Sequence, residues 1–305
     1  MPELSIIIVN YNTTKLATRC IQSIKSSSYS NFEIIVVDNN SQVNSLTKIQ
    51  AEYPEIIAIQ NDSNEGFGRA NNLGAKYAQG NYLLFLNSDM VLRKDTIEVC
   101  YNELLSIPKA GVLSCPLFNE DGSKQRSLFY SSGTYKGILE ENLVLDKLCT
   151  FKKGDIHAII GAFMMIPTRI FKTVGGFDRD FFMYSEELEL CDRIRLLGYK
   201  IAQTTKTNAI HKHGGSTSDS GWSQRQKLAS SQLYYRKKNG VLGLFFFHIL
   251  KIFNFITNLL FMWFLDTQYR KNLLSSFKYY IQSLKHTWAI VFLRFRKNQG
   301  FLKIK

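Results

Sequence analysis

Acidic residues all but vanish from the last third of this chain. From residue 220 onward a single acid, Asp266, faces 15 Lys/Arg, whereas the residues before it hold 24 acids and 23 Lys/Arg, so the net charge of +13 is almost wholly C-terminal. Such a segment suits either nucleic acid or an anionic membrane surface. Its apolar content, taken up below, selects the membrane, and no nucleic-acid partner is expected. Cysteine is sparse too. Cys20, Cys100, Cys115, Cys149 and Cys191 are scattered, odd in number and form no CxxC pair, which excludes a disulfide framework and a thiolate zinc site and fits reduced thiols in the cytoplasm. The N-terminus lacks the basic stretch and cleavage site of a secretory signal. Repeats and low-complexity linkers are also missing. At 305 residues and 45% hydrophobic content, the chain can bury one sizeable core plus an appendage, which excludes disorder.

What is present in the first part is an alternation of short apolar runs with helical stretches. Residues 4–9, 33–37, 55–59 and 82–86 read as buried strands. Helices are expected after the first strand, capped by Asn12 or Thr13, and over about 68–79 and 95–106. Continuous apolar strands alternating with helices predict an α/β fold with a mostly parallel sheet flanked by helices. Beyond about residue 110 the pattern loosens, with a strand expected over 158–166 and a helix over 186–197. Residues 119–155 read as a long loop on the substrate side.

In an open α/β sheet, ligands bind at the carboxyl ends of the strands. Those ends are unusually polar here: Asn10-Tyr11-Asn12, Asp38-Asn39-Asn40-Ser41, Asn61-Asp62-Ser63-Asn64 and Asn87-Ser88-Asp89. Any one could be a turn; four together predict a binding crevice. Asp89, at the end of a buried strand, suits Mg²⁺ or Mn²⁺ carrying a diphosphate, since such hard ions take one or two carboxylates plus phosphate oxygens. Gly66-Phe67-Gly68 is not a dinucleotide fingerprint, because Asn71 replaces the third glycine and the motif follows the third strand. That argues against a nucleotide-dependent oxidoreductase. The turn instead lets backbone or Arg69 approach a ligand. Glu186, Glu187 and Glu189 open a helix after a Gly- and aromatic-rich approach. His211 and His213 lie in a Gly-rich loop, both candidate metal ligands.

Together these segments resemble glycosyltransferase family 2, in particular its bacterial rhamnosyltransferase-like group. They run from Ile8-Val9-Asn10-Tyr11-Asn12 through Val36-Val37-Asp38-Asn39, Gly66 to Asn72 and Leu86-Asn87-Ser88-Asp89. They continue with Gly161-Ala162-Phe163-Met164, Gly176-Phe177-Asp178, Phe182-Met183-Tyr184, Glu186-Glu187 with Leu190-Cys191, and Ala209-Ile210-His211. The resemblance covers about residues 3–216. It implies a GT-A fold and an inverting transfer from a nucleotide-diphosphate sugar. Asn10, Tyr11 and Asp38 would hold the base and ribose of a uridine or thymidine diphosphate sugar, with Asn12 and Asn40 on the same rim. Asn72 and Asn87 would line the donor site, and Asp89 and His211 would hold the metal. Where the family writes Glu-Asp-x-Asp, this chain has Glu186-Glu187-Leu188-Glu189. The second acid is the family's usual general base, so Glu187 takes that role, with Glu186 as its alternate. Retention of Asp89, Glu187 and His211 argues against a non-catalytic glycan- or nucleotide-binding module.

The expected domains are 1–220, the transferase, and 221–305, a basic, apolar helical tail. Residues 241–265 are nearly all apolar, with His248, Lys251, Asn254 and Asn258 as one narrow polar stripe. They are long enough to span a bilayer, but both flanks are basic, so no orientation follows. Residues 272–291 place Leu273, Leu274, Phe277, Ile281, Leu284, Trp288 and Val291 on one face, with Lys278 and Lys285 off it, as in an interfacial helix. In-plane attachment to the cytoplasmic membrane face is the favoured reading, ahead of a span or re-entrant hairpin and of a soluble dimer interface. It fits a saccharide or lipid-linked saccharide acceptor.

Overall fold

The computed structural model describes residues 1–42, 45–130, 155–212, 220–261, 267–298 and 300–304. It divides into two compact units. The first comprises Met1–Phe129, Ala158–Asp178 and Glu186–Ser218; the second comprises Tyr130–His157, Arg179–Ser185 and Asp219–Lys305.

The first unit is built on strands β1 (Leu4–Asn10), β2 (Phe32–Asp38), β3 (Ile57–Gln60), β4 (Tyr82–Asn87), β5 (Met90–Leu92), β6 (Ala110–Ser114), β7 (Leu117–Phe118), β8 (Leu128–Phe129), β9 (Ala158–Ile159), β10 (Phe163–Pro167), β11 (Lys200–Gln203) and β12 (Ala209–His211). Its helices are α1 (Thr14–Lys25), α2 (Ser45–Glu52), α3 (Phe67–Tyr77), α4 (Thr96–Ser106), α5 (Thr168–Thr173) and α6 (Glu186–Leu196). Seven strands form the main sheet in the order β11-β6-β10-β4-β1-β2-β3. β1 runs parallel to β2 and β4, and β2 parallel to β3, whereas β10 is antiparallel. Ile6, Ile7, Ile8, Ile35, Val36 and Phe85 are fully or almost fully buried, as β-branched and aromatic strands covered on both faces require. Helix α3 lies close on this sheet because residue 74 is glycine: a Cβ there would sit 2.6 Å from Ile7 Cγ2. This is the GT-A arrangement implied by the resemblance.

Register brings the strand ends to one edge. Asn10 pairs with Asp38, Asp38 with Gln60, and Val9 with Asn87. β5, which follows the end of β4 in the chain, belongs to a second sheet in the order β5-β12-β7. Three expectations shift locally. The third strand starts at Ile57 rather than residue 55. The run 158–166 is broken at Gly161 into β9 and β10, which join different sheets. Thr13 does precede α1 but makes no capping bond; its hydroxyl is used elsewhere, as described below. Within the expected loop 119–155, residues 119–125 form a tight hairpin and Leu128–Phe129 a short strand paired with β9, while 131–154 lie outside the described residues.

The second unit is helical. Helix α7 (Ser220–Leu260) is interrupted at Asn239 and Gly240, and is followed by α8 (Thr267–Leu284), α9 (Thr287–Val291) and α10 (Phe295–Asn298). Gln232 bonds Ser283 and His248 bonds Tyr280, both at 2.9 Å, and Phe255 stacks on Phe277, so α7 and α8 run in opposite directions. Leu302 forms a parallel bridge with Phe181 and donates its N–H to the Asp180 carbonyl at 2.7 Å, and the Asp180 carboxylate receives Lys237 and Arg296. The 179–185 segment is therefore held by the C-terminal helices and cannot be cleanly parted from them.

The polar stripe of α7 points inward. Asn254 and Asn258 are buried, while Leu242, Phe245, Phe246, Ile249, Ile252, Phe253, Ile256 and Leu260 are exposed. On α8 and beyond, Leu274, Ile281 and Trp288, spaced by seven, are exposed as well. By length and composition α7 could cross a membrane, and only 22% of its most apolar stretch is buried.

Candidate active site

The ends of β1 and β4 are joined by a buried chain of polar groups. Asn10 Nδ2 donates to Asp38 Oδ2 at 2.7 Å, the Thr13 hydroxyl donates to Asn10 Oδ1 at 2.8 Å, and Thr13 Oγ1 lies 2.9 Å from Ser88 Oγ. All four residues are buried, so this network fixes the β1 and β2 ends against the segment that carries Asp89. Asp38 is further tied by the Ser41 N–H and hydroxyl, each at 2.8 Å, and by Gln60 Nε2 at 3.3 Å. Four donors occupy its four lone-pair sites.

Tyr11 is exposed on this rim. Asn12 and Asn40 both take left-handed backbone, φ 58° and 66°, which Asn tolerates better than most residues. The Asn12 side chain accepts the Gln42 N–H at 2.7 Å, whereas Asn40 is exposed. Gly66 enters α3 at φ 82°, a conformation glycine adopts without cost. Arg69 pairs with Glu65 of the same turn at 3.1 Å. Asn72 is committed to structure: its amide donates to the Phe177 carbonyl and accepts the Phe177 N–H, both at 2.8 Å. Asn39, named in the sequence only as part of a polar strand end, braces the β2 and β3 ends by bonding Asn64, Gly66, Asn61 and Glu65.

At the β4 end, Asp89 and His211 meet. β12 pairs antiparallel with β5, placing His211 opposite Met90. The His211 Nε2 lies 3.3 Å from Asp89 Oδ1 and 3.4 Å from Asn87 Nδ2. Both Asp89 and His211 are buried, 4% and 7% exposed. Among the described residues no third His, Cys, Asp or Glu completes a cluster with them. A buried carboxylate and imidazole nitrogen so arranged fit a divalent ion whose remaining positions are filled by phosphate oxygens and water. His213 lies outside the described residues.

Glu186 and Glu187 open α6, after Tyr184 and Ser185, both at positive φ. Glu186 is buried and Glu187 only partly so. Their neighbours in this unit are two glycine turns: a Cβ on Gly68 would lie 3.7 Å from Glu186 Cγ, and one on Gly161 would lie 3.7 Å from Glu187 Cβ. The Gly66-Phe67-Gly68 entry into α3 thus borders the acid pair as well as leading to Arg69. Burial first, and the Glu187 charge second, hold the Glu186 carboxyl well above the usual carboxylate range. At Glu186, therefore, desolvation outweighs the helix N-terminus that would favour the charged form. Glu189 takes a structural part, binding Arg193 at 2.7 and 2.6 Å, while Arg193 bonds the Val174 and Gly176 carbonyls. Phe181 and Phe182 find their partners within the second unit, where Phe182 stacks on Phe301 at 5.3 Å and meets Trp222 edge-on.

A GT-A fold that gathers Asp89, His211 and an acid pair around its strand ends defines a glycosyltransferase. The chain belongs to glycosyl transferase family 2, whose family model matches residues 5–175. It is 28% identical over 218 residues to the low-salt glycan biosynthesis hexosyltransferase Agl10 of Haloferax volcanii, covering 69% of this chain and 67% of that one. It is 25% identical over 223 residues to the rhamnosyltransferase WbbL of Escherichia coli, covering 68% and 82%, consistent with the rhamnosyltransferase-like group. Among solved structures it resembles the mannosyltransferase PcManGT of Pyrobaculum calidifontis in complex with GDP-Man and Mn²⁺, with a TM-score of 0.64, 14% identity and 94% and 87% of the two chains covered. At that identity the likeness speaks for the fold alone.

Proposed function

We propose that this glycosyltransferase inverts the anomeric carbon of a dTDP- or UDP-hexose, rhamnose among the candidate sugars, and passes it to a saccharide or lipid-linked saccharide at the cytoplasmic membrane face. The observation that carries the reading is the buried Asp89–His211 pair at the end of β4, 3.3 Å apart. Asp89 and His211 would hold Mg²⁺ or Mn²⁺, which supplies charge neutralisation for the departing diphosphate. The Asn10–Asp38 rim orients the nucleoside. Glu187 takes the proton of the acceptor hydroxyl as that oxygen attacks the far face of the sugar, and the rigid polar network holds donor and base in line. The Mn²⁺-bound and sugar-nucleotide-bound forms of structural relatives, GDP-Man in one and UDP-GlcNAc in S. aureus TarS, support a metal-assisted nucleotide-sugar donor. The test is a thermal-shift screen of UDP, dTDP and GDP and their sugars with and without Mn²⁺. A ligand held at about 100 times its Kd adds roughly 2.7 kcal/mol to stability. One nucleotide class should raise the melting temperature further with metal present than without it; the absence of any metal-dependent shift sinks the reading.

The membrane part rests on the inverted α7, with polar residues inward and apolar residues outward, among 15 Lys/Arg and one acid. Anionic lipid attracts such a basic surface, and apolar side chains enter the headgroup boundary. Replacing exposed Phe245, Ile252 and Ile256 with Ser in the full chain leaves the interior untouched. With about 1.5–3 kcal/mol for each fully buried side chain, partition onto phosphatidylglycerol vesicles should fall at least about 100-fold in sedimentation. Unchanged pelleting of the variant, or a parent that stays in solution as a dimer, counts against attachment.

A further inference from the structure

A side chain that bonds both the ring and the backbone of His211, Gln125, lies outside the segments that carry the family resemblance. Gln125 sits on the return arm of the 119–125 hairpin, where its N–H bonds the Leu117 carbonyl at 2.8 Å and Phe118 bridges Lys124. The outgoing arm, β7, runs parallel to β12, with Leu117 opposite Ala209 and Phe118 opposite Ile210. Two backbone ladders therefore bring Gln125 beside His211. Its Oε1 lies 2.8 Å from His211 Nδ1, and its Nε2 donates to the His211 carbonyl at 2.7 Å.

The direction of these bonds can be followed donor by donor from a carboxylate, which only accepts. Asp121 Oδ1 accepts the Ser123 hydroxyl at 2.6 Å. With its proton so used, Ser123 Oγ accepts from Asn119 Nδ2 at 2.7 Å. Asn119 Oδ1 is thereby turned to Gln125 and accepts from its Nε2. Gln125 Oε1 is left facing His211, so Nδ1 must carry the hydrogen between them. A reversed Gln125 amide would set its oxygen against two acceptors, the His211 carbonyl and Asn119 Oδ1. The Nε2 lone pair then points along the side of the ring where Asp89 Oδ1 lies at 3.3 Å.

We propose that Gln125 is a positioning residue that locks His211 in its Nδ1–H form, so that Nε2 is presented with Asp89 to the divalent cation. Such outer partners of a ligating imidazole commonly change metal affinity by about 10–100-fold. The inference rests on the Asp89–His211 metal reading, and the two can be told apart. In metal-free ¹⁵N-labelled protein, with His211→Gln to assign the signals, two-bond ¹H–¹⁵N correlations should show the Nδ1–H pattern for His211 in the parent. Gln125→Leu should lose that pattern. Gln125→Glu, which keeps an acceptor at Nδ1 while giving up the two bonds donated by Nε2, should retain it. Mn²⁺ titration followed by the electron paramagnetic resonance of the free ion should weaken about 10–100-fold in Gln125→Leu and stay near the parent in Gln125→Glu. An Nε2–H ring in the parent overturns the proposal. So does a Gln125→Leu protein that binds Mn²⁺ as the parent does while Asp89→Ala does not. Equal Mn²⁺ binding by the parent and Asp89→Ala overturns the metal reading instead, and the tautomer measurement still decides for Gln125.

Discussion

Asp89→Ala should abolish transfer and, with it, the metal dependence of nucleotide-diphosphate binding. Asp89 is the buried carboxylate at the end of β4, and the pairing of β5 with β12 leaves its Oδ1 aimed at His211 Nε2. Losing the ion it would hold removes several kcal/mol of stabilisation from the departing diphosphate. At about 1.4 kcal/mol per factor of ten, the rate falls at least about 10³-fold. Asp89→Asn keeps the shape while removing the charge, and separates loss of the ligand from loss of packing. Both variants should bind the bare nucleoside through the Asn10–Asp38 rim and gain nothing from Mn²⁺. Parent-like donor and metal binding in isothermal titration would remove Asp89 from the site.

What the sequence disclosed follows the range of the interactions involved. The four polar strand ends were legible because each strand is a continuous apolar run, and parallel register then aligns Asn10, Asp38 and Asn87 without further information. The Asp89–His211 meeting was legible only through the family resemblance. The two residues are 122 positions apart, and the strands that join them, β5 and β12, are three residues each, too short to leave a periodic signal. β6 and β11 of the main sheet went unread for a similar reason. Gln125 had no signal, since a lone Gln in a polar turn acquires meaning only once β7 and β12 are paired. The α7 stripe was read correctly as a stripe. Which side it faced depended on α8, whose Tyr280 and Ser283 supply partners for polar groups of α7. Asn72, expected at the donor, bonds the Phe177 backbone 105 residues away, a contact that no local pattern encodes.

Glu187→Gln should lower transfer by about 10²–10⁴-fold, the usual range for losing a general base, and leave donor binding near normal. Glu186→Gln should be milder, and the reason lies in the unequal setting of the two acids. Burial, and then the charge of Glu187, hold the Glu186 carboxyl well above the ordinary carboxylate range, so it gives up its proton less readily than an ordinary carboxylate. Glu187, only partly buried and beside the Gly161 turn, is the less enclosed residue of the two and the one we propose meets the acceptor hydroxyl. The raised Glu186 value also has a thermodynamic signature. The native state binds that proton more tightly than the unfolded chain does. The associated stability is therefore complete below the ordinary carboxylate value and is lost as pH rises through the raised one. Glu186→Gln removes the titration, so the variant should melt above the parent at about pH 8 and close to it at about pH 4, with roughly 2–4 °C for each kcal/mol in a domain of this size. The kinetic and thermal measurements check one another. If Glu186→Gln is the inactive variant and shows no pH-dependent gain in melting temperature, while Glu187→Gln retains turnover, the base is Glu186. The extra methylene at the second acid, where the family usually has Asp, would then have moved the catalytic carboxylate back by one position.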